Sequence, residues 1–220
     1  MRFVTYFSSN QTRIFLDHGI PQDRLAVLPF GVALDRPVNP DARHSDAPIL
    51  AVGWDRGRDY ATLFDAVDGT DLEVRVLARP ENLAGLSWPS NVEVLGVRSR
   101  SDYEELLAQS HTVVVSTHEL AYPTGQSVAL EAAMAGCAVV VTDTPAMRDY
   151  FTHGKTAVMP APGDVAGLRT QLLALHSVSR DRAALASAAH RHVTTHHTQA
   201  HLWSAFSTVV RTRLLGGDDQ

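Results

Sequence analysis

Short, continuously apolar runs alternate along this chain with stretches whose apolar residues fall at helical spacing. The runs are Leu25–Leu28, Ile49–Gly53, Leu72–Leu77, Val92–Leu95, Thr112–Val115, Ala138–Val141 and Thr156–Met159. Several contain no charged position, as expected of strands covered on both faces. Between them, Asp59–Val67 places Tyr60, Leu63, Phe64 and Val67 on one helical face. Ser101–Gln109 opens with a Ser and carries Glu104 three residues on, which predicts a capping box. Ser127–Ala135 reads as a helix stopped by Gly136, and Asp164–Ala174 as another. Arg180–Leu215 is helical in composition, with a break expected at Val193-Thr194-Thr195. This alternation predicts an α/β fold, a Rossmann-like doubly wound parallel sheet of about six strands. The Pro-rich stretch Pro37–Pro48 reads as a linker. Residues 1–40 are therefore expected to form an opening segment packed on the main domain, 41–215 the Rossmann-like domain, and 216–220 a frayed tail.

Composition narrows the classes. A chain of 220 residues with 45% apolar content can bury one sizeable core. Asp and Glu number 24 against 19 Lys and Arg, a net charge of −5. That balance excludes a general nucleic-acid binder, which needs a surplus of cations for the phosphate backbone. The single cysteine, Cys137, allows neither an internal disulfide nor a Cys-based metal cage, and its place at the head of an apolar strand predicts a buried structural role. The first ten residues lack a signal-peptide apolar region, and the longest apolar-looking run, Val128–Val141, is short and carries Glu131. A cytoplasmic protein with at most peripheral membrane contact is expected.

Ligands of open parallel sheets bind beyond the carboxyl ends of the strands, so the strand-to-helix loops matter most. Val52–Tyr60 holds Gly53, Arg56, Gly57 and Arg58 in such a loop. Glycine permits close backbone approach and arginine offers a planar fork to phosphate oxygens; the bland alternative is a surface turn with solvated arginines. Tyr122–Gly136 is the second loop. There Gly125-Gln126-Ser127 starts a helix whose unpaired N–H groups suit a diphosphate. Glu131 lies one turn further in among alanines, where either a sugar hydroxyl or a salt-bridge partner must meet it. Gly125–Ala129 falls one glycine short of a nucleophile elbow, which keeps a hydrolase using Ser127 as a weak alternative. Gly154-Lys155-Thr156 ends like a P-loop, but Asp149 stands where the first glycine belongs. His190, His192, His196, His197 and His201 are expected on solvated helix faces, and Trp203 and Phe206 to pack against the domain.

The stretch Gly125–Glu131, continuing through Ala132-Ala133-Met134-Ala135-Gly136 to Val141, resembles the donor-binding region of retaining, nucleotide-sugar-dependent glycosyltransferases of family 4 and their relatives. Four further pieces agree in order: Ser8–Gly31, ending in Leu28-Pro29-Phe30-Gly31-Val32; Ile49–Val67; Val92–Ser116; and Gly154–Gly163. Each is weak alone, and five in order are strong. The resemblance runs from Ser8 to about Arg211 and falls in the C-terminal, donor-binding half of the two-domain GT-B architecture. It implies that Glu131 binds the nucleotide ribose, that Gly53, Gly125, Gln126 and Ser127 hold the diphosphate or sugar, and that Val97, in the loop Gly96-Val97-Arg98, faces the base. The family neutralises the leaving diphosphate with an Arg and a Lys in the first loop, a task for fixed positive charge. Here Trp54 replaces that Arg and the Lys is absent, so Arg56 and Arg58 are assigned the role. The family also has a glutamate eight residues before Glu131; that position is Pro123, and Glu119 is the candidate replacement. No Asp-x-Asp occurs, so neither metal nor cofactor is expected. The implied activity is sugar transfer from a nucleotide sugar to an unknown acceptor. The alternative is a non-catalytic nucleotide-sugar-binding subunit. The implied partners are a separate N-terminal-half domain or a second copy of the chain.

Overall fold

In the computed structural model, which describes residues 3–35 and 47–214, five parallel strands form the central sheet. They are β3 (Ile49–Val52), β4 (Val74–Leu77), β5 (Val92–Val94), β6 (Thr112–Val115) and β7 (Ala138–Val141), in the spatial order β5-β4-β3-β6-β7. The order reverses between β3 and β6, so the crevice expected of a doubly wound sheet opens at their carboxyl ends. Ile49 pairs with Val74 on one side and Thr112 on the other. All four residues of β3, β6 and β7 are buried, which is why these strands read as unbroken apolar runs.

Side chains alternate across the sheet into two cores. Leu50, Val52, Val113, Val115, Val139 and Val141 face a layer that includes α3 (Arg100–Gln109), α4 (Gln126–Met134) and α6 (Ser179–His196). Ile49, Ala51, Val74, Val76, Val114 and Val140 face α2 (Tyr60–Val67) and α5 (Val165–Ser177). Each fully buried aliphatic side chain here stabilises the fold by about 1.5–3 kcal/mol. Cys137 is buried beside Leu107 and Ser110, as its apolar context predicted.

Two expectations about elements need correction. The run Thr156–Met159 does not become a sixth strand. It meets β7 through a single bridge, Val158 with Val140, before Pro160. The capping box at Ser101 is also absent. Helix α3 starts one residue earlier, with the Ser99 hydroxyl accepting the Asp102 N–H at 3.2 Å. Glu104 accepts instead from Arg100 Nε at 2.9 Å and from the Asp35 N–H at 3.0 Å.

The opening segment makes its own two-stranded parallel sheet from β1 (Val4–Tyr6) and β2 (Leu25–Val27), joined by α1 (Gln11–Asp17). It is tied to the body by the Ser9 N–H and hydroxyl on Asp149, by the Tyr150 hydroxyl on the Phe7 carbonyl, and by Val32 paired with Thr198. Helix α7 (Gln199–Leu214) returns across this segment, where Arg213 reaches the Asp23 carbonyl at 2.6 Å. The helical break falls at His197, not at Val193–Thr195: Val193 is fully buried, and Thr194 bonds back to the His190 carbonyl within an intact helix. The predicted linker at 37–48 lies mostly outside the described residues, and the tail 216–220 lies wholly outside them. Among the described residues no helix is long and apolar enough to cross a membrane.

Candidate functional site

A crevice of about 680 Å³ sits at the switch point between β3 and β6. Its walls come from the loop after β3, the loop entering α3, and the loop entering α4. These loops are pinned to one another. The Asp59 N–H bonds to the Ser116 carbonyl at 3.0 Å, and the His118 N–H to that of Gly57 at 2.8 Å. Asp55 accepts from the Gly57 N–H at 2.7 Å, from the Thr124 hydroxyl at 3.0 Å and from the Tyr122 hydroxyl at 3.3 Å. Partial burial raises the Asp55 carboxyl, but these donors and the nearby Arg58 charge outweigh it and hold the group below its ordinary range.

Arg58 is the centre of the arrangement. Its guanidinium runs between two glycines: a Cβ on Gly53 would lie 1.7 Å from Nε, and one on Gly125 would lie 2.1 Å from Nη1. Only glycine fits at either place, and Gly125 also holds a left-handed φ of 84° as the cap of α4. Nε and Nη1 are buried with no hydrogen-bond acceptor among the described residues. Burial pulls the Arg58 pKa down, partly offset by neighbouring Tyr60 and Asp55, yet arginine keeps its proton at this depth. Among the described residues no carboxylate stands within ion-pair range of this guanidinium. The N-terminus of α4 adds to the same field: Gly125 provides no side-chain cap, and Gln126, Ser127 and Val128 line the crevice.

Glu131 stands on the opposite wall, and its partners are protein groups. Arg100 Nη1 donates to one carboxylate oxygen at 2.7 Å, and the Tyr103 hydroxyl donates to the other at 2.8 Å. The salt-bridged alternative is therefore the arrangement present. Burial, then the Glu131 charge, pushes the Tyr103 hydroxyl well above its ordinary pKa, so it stays a donor. Arg100 also reaches Glu104 and the Ala33 carbonyl at 3.1 Å.

The crevice brings together Gly53, Arg58, Gly125, Gln126, Ser127 and Glu131. Three other assigned residues are not in its lining. Arg56 lines an adjoining recess. Val97 is exposed, next to lining residue Arg98. Glu119 is exposed, with its charge acting on Arg148 instead. Of the loop Gly96-Val97-Arg98, expected to face the base, Arg98 lines the crevice; sequence reading missed Ser99, Arg100 and Tyr103, which line it from the α3 side. The one local signal was the i,i+4 pair Arg100/Glu104. Among the described residues no histidine lines the crevice to serve Ser127 as an imidazole base. The histidines of α6 and its C-cap are not simply solvated, contrary to expectation: His190 donates to the Met134 carbonyl, His192 to that of Tyr150, and the buried cap residue His197 to that of Phe30. Trp203 is mostly exposed and lies edge-on to Phe206.

Comparison with known proteins places this geometry. The chain superimposes on a glycosyltransferase from Rickettsia africae with a TM-score of 0.80 and 15% identity, covering 98% of this chain and 64% of that one. It matches Anabaena HepE, solved with UDP and glucose, with a TM-score of 0.74 and 16% identity over 96% of this chain and 62% of that one. WaaG, a glycosyltransferase involved in lipopolysaccharide biosynthesis, gives 0.74 and 22% over 97% and 62%. These likenesses establish the GT-B fold, of which this chain is a C-terminal-like half; it spans less than two thirds of each of these proteins. A shorter match, 46% identical over 39 residues, is to the 2-deoxystreptamine N-acetyl-D-glucosaminyltransferase of Niallia circulans, covering 18% of this chain and 10% of that protein. The model of the family described as glycosyl transferase-like matches residues 58–207, well over half of the chain, and the chain belongs to that family.

Proposed function

We propose that this chain is the donor-binding half of a glycosyltransferase that moves a sugar from a nucleoside-diphosphate sugar to an acceptor, without a metal ion and with retention. The observation that carries this reading is Arg58 at the switch-point crevice, whose buried Nε and Nη1 have no acceptor among the described residues. A diphosphate seated between the Gly53 and Gly125 loops supplies the missing negative charge. As the glycosidic bond to the donor breaks, charge grows on the leaving diphosphate. The fixed guanidinium and the α4 N-terminus are already aimed where it grows. Each oxygen of Glu131 has capacity beyond the one donor it now holds, so ribose hydroxyls can join Arg100 and Tyr103 there. Relatives solved with UDP support this reading. A second reading, a nucleotide-sugar-binding subunit without catalysis, is favoured by Trp54 and Pro123, which stand where the family resemblance expects an arginine and a glutamate. In either case the acceptor-binding half comes from another domain or chain.

Calorimetric titration with UDP, GDP and ADP tests the donor site. Binding of one nucleotide, weakened at least tenfold in Glu131→Ala, is the expected result. No binding of any nucleotide, or equal binding by the variant, would remove the assignment of the ribose site to Glu131. Incubation with the matching nucleotide sugar and a supplied acceptor half then separates transfer from binding alone.

A further inference from the structure

A second recess, about 410 Å³ in volume, adjoins the donor crevice and shares Trp54 and Arg58 with it. Arg56, Arg79, Glu81 and Asn82 complete its wall. Three guanidinium groups thus converge with one carboxylate in a chain whose net charge is −5. None of the three arginines forms an ion pair within 4 Å among the described residues. The arrangement is also braced. Arg79 lies over the Trp54 ring, 5.9 Å from its centroid. Asn82 accepts the Arg79 backbone N–H at 3.3 Å and donates to the Asp55 carbonyl at 3.1 Å, joining the loop after β4 to the loop after β3. Three like charges gathered around one carboxylate repel one another, and an oxyanion relieves that repulsion while accepting paired N–H bonds from the guanidinium forks.

We infer that this recess binds an oxyanion, phosphate or carboxylate, carried by the acceptor substrate. The assignment to the acceptor rests on the glycosyl-transfer reading; the oxyanion site itself does not. Because Arg58 lines both spaces, a group held in the recess lies beside the donor diphosphate, and so beside the bond that breaks. A second anchor there brings the acceptor to the donor in a fixed geometry. Trp54, which takes the place of an arginine in the resemblance, becomes the apolar wall of this second site.

The test uses Trp54 as reporter, with emission excited at the red edge of tryptophan absorption. Inorganic phosphate and acetate are titrated at constant ionic strength, first alone and then with the donor site saturated by the nucleotide that binds. Trp54→Phe identifies the signal against Trp88 and Trp203. The expected result is a saturable change with phosphate or acetate that persists under saturating nucleotide. Arg79→Gln weakens it at least fivefold, Arg79→Glu abolishes it, and nucleotide affinity stays within twofold in both variants. The preferred anion names the acceptor group. Phosphate binding displaced by nucleotide would make the recess part of the donor site and overturn the inference. So would parallel loss of nucleotide affinity in the Arg79 variants, or no saturable signal with either anion. If no nucleotide binds the parent chain, the donor reading fails, and the titrations without nucleotide still decide the oxyanion site.

Discussion

Two arginines flank the same crevice in opposite states. Arg100 is neutralised in place: Glu131 and Glu104 take its N–H groups at 2.7 and 2.9 Å, and the Ala33 carbonyl takes another. Arg58 is more deeply enclosed and has no acceptor for Nε or Nη1 among the described residues. A folded chain tolerates such an orphaned cation only if the surrounding structure over-determines it. Here its guanidinium packs against Gly53 and Gly125, where a Cβ on either would collide with it. Under the proposed function, the contrast separates a structural arginine, which holds α3 to α4, from one held ready for a ligand. On that reading, stability sacrificed at Arg58 reappears as binding energy when an anion arrives.

The largest expected effect comes from closing the slot itself. Gly125→Val forces a β-branched residue into a φ of 84° and drives its Cβ into Arg58 and Val115, at a cost of about 3 kcal/mol. A thermal melt should show that loss, and nucleotide binding should disappear with it. Next, Arg58→Met should weaken nucleoside-diphosphate binding by about 2 kcal/mol or more, roughly thirtyfold. The ligand-free variant should melt no lower than the parent, because an unpaired buried charge has gone. A lower melting temperature in the absence of ligand would mean that Arg58 is structural after all.

Arg100→Met should do the reverse and sharpen the comparison. It leaves Glu131 and the nearly buried Glu104 without their cation, so the ligand-free chain should lose about 1–2 kcal/mol, discounted for the partial exposure of Arg100. Denaturant unfolding of the two methionine variants side by side reads the difference directly. The smallest effect concerns the far end of the molecule. Burial holds His197 below its ordinary pKa of 6.5, with the neighbouring histidines reinforcing the shift and the Phe30 carbonyl opposing it. The unfolded chain therefore takes up that proton more readily. The stability contribution is present above pH 6.5 and is lost as the pH falls below it. His197→Gln should flatten the fall in melting temperature between pH 7 and pH 5; an unchanged slope would remove His197 as its source.

Much of this was legible in the sequence, for identifiable reasons. The buried strands announced themselves because strands covered on both faces carry few polar residues; Val139-Val140-Val141 is the clearest case. Gly53, Gly125 and Arg58 were legible because close backbone approach leaves glycine no substitute and strand-to-helix loops sit at the crevice of any doubly wound sheet. Arg100 and Tyr103 were not. They reach Glu131 from α3, 31 and 28 residues earlier, and only the packing of α3 on α4 brings them together. The same gap explains Arg56. Its place in the chain resembles that of Arg58, but the turn held by Asp55 and Gly57 puts it in the neighbouring recess. The Thr156–Met159 run failed as a strand although its composition suits one, because a turn before it and Pro160 after it leave room for one bridge.

The most direct test of the central claim observes the Arg58 guanidinium itself. Two-dimensional proton–nitrogen NMR of the arginine Nε–H groups, assigned with Arg58→Met, should be recorded during titration with the nucleoside diphosphate that binds. The account predicts that the Arg58 signal moves downfield and exchanges more slowly as nucleotide saturates, while the Arg100 signal, already paired, barely shifts. Saturation with nucleotide that leaves the Arg58 signal in place would show that the diphosphate sits elsewhere and would contradict the account.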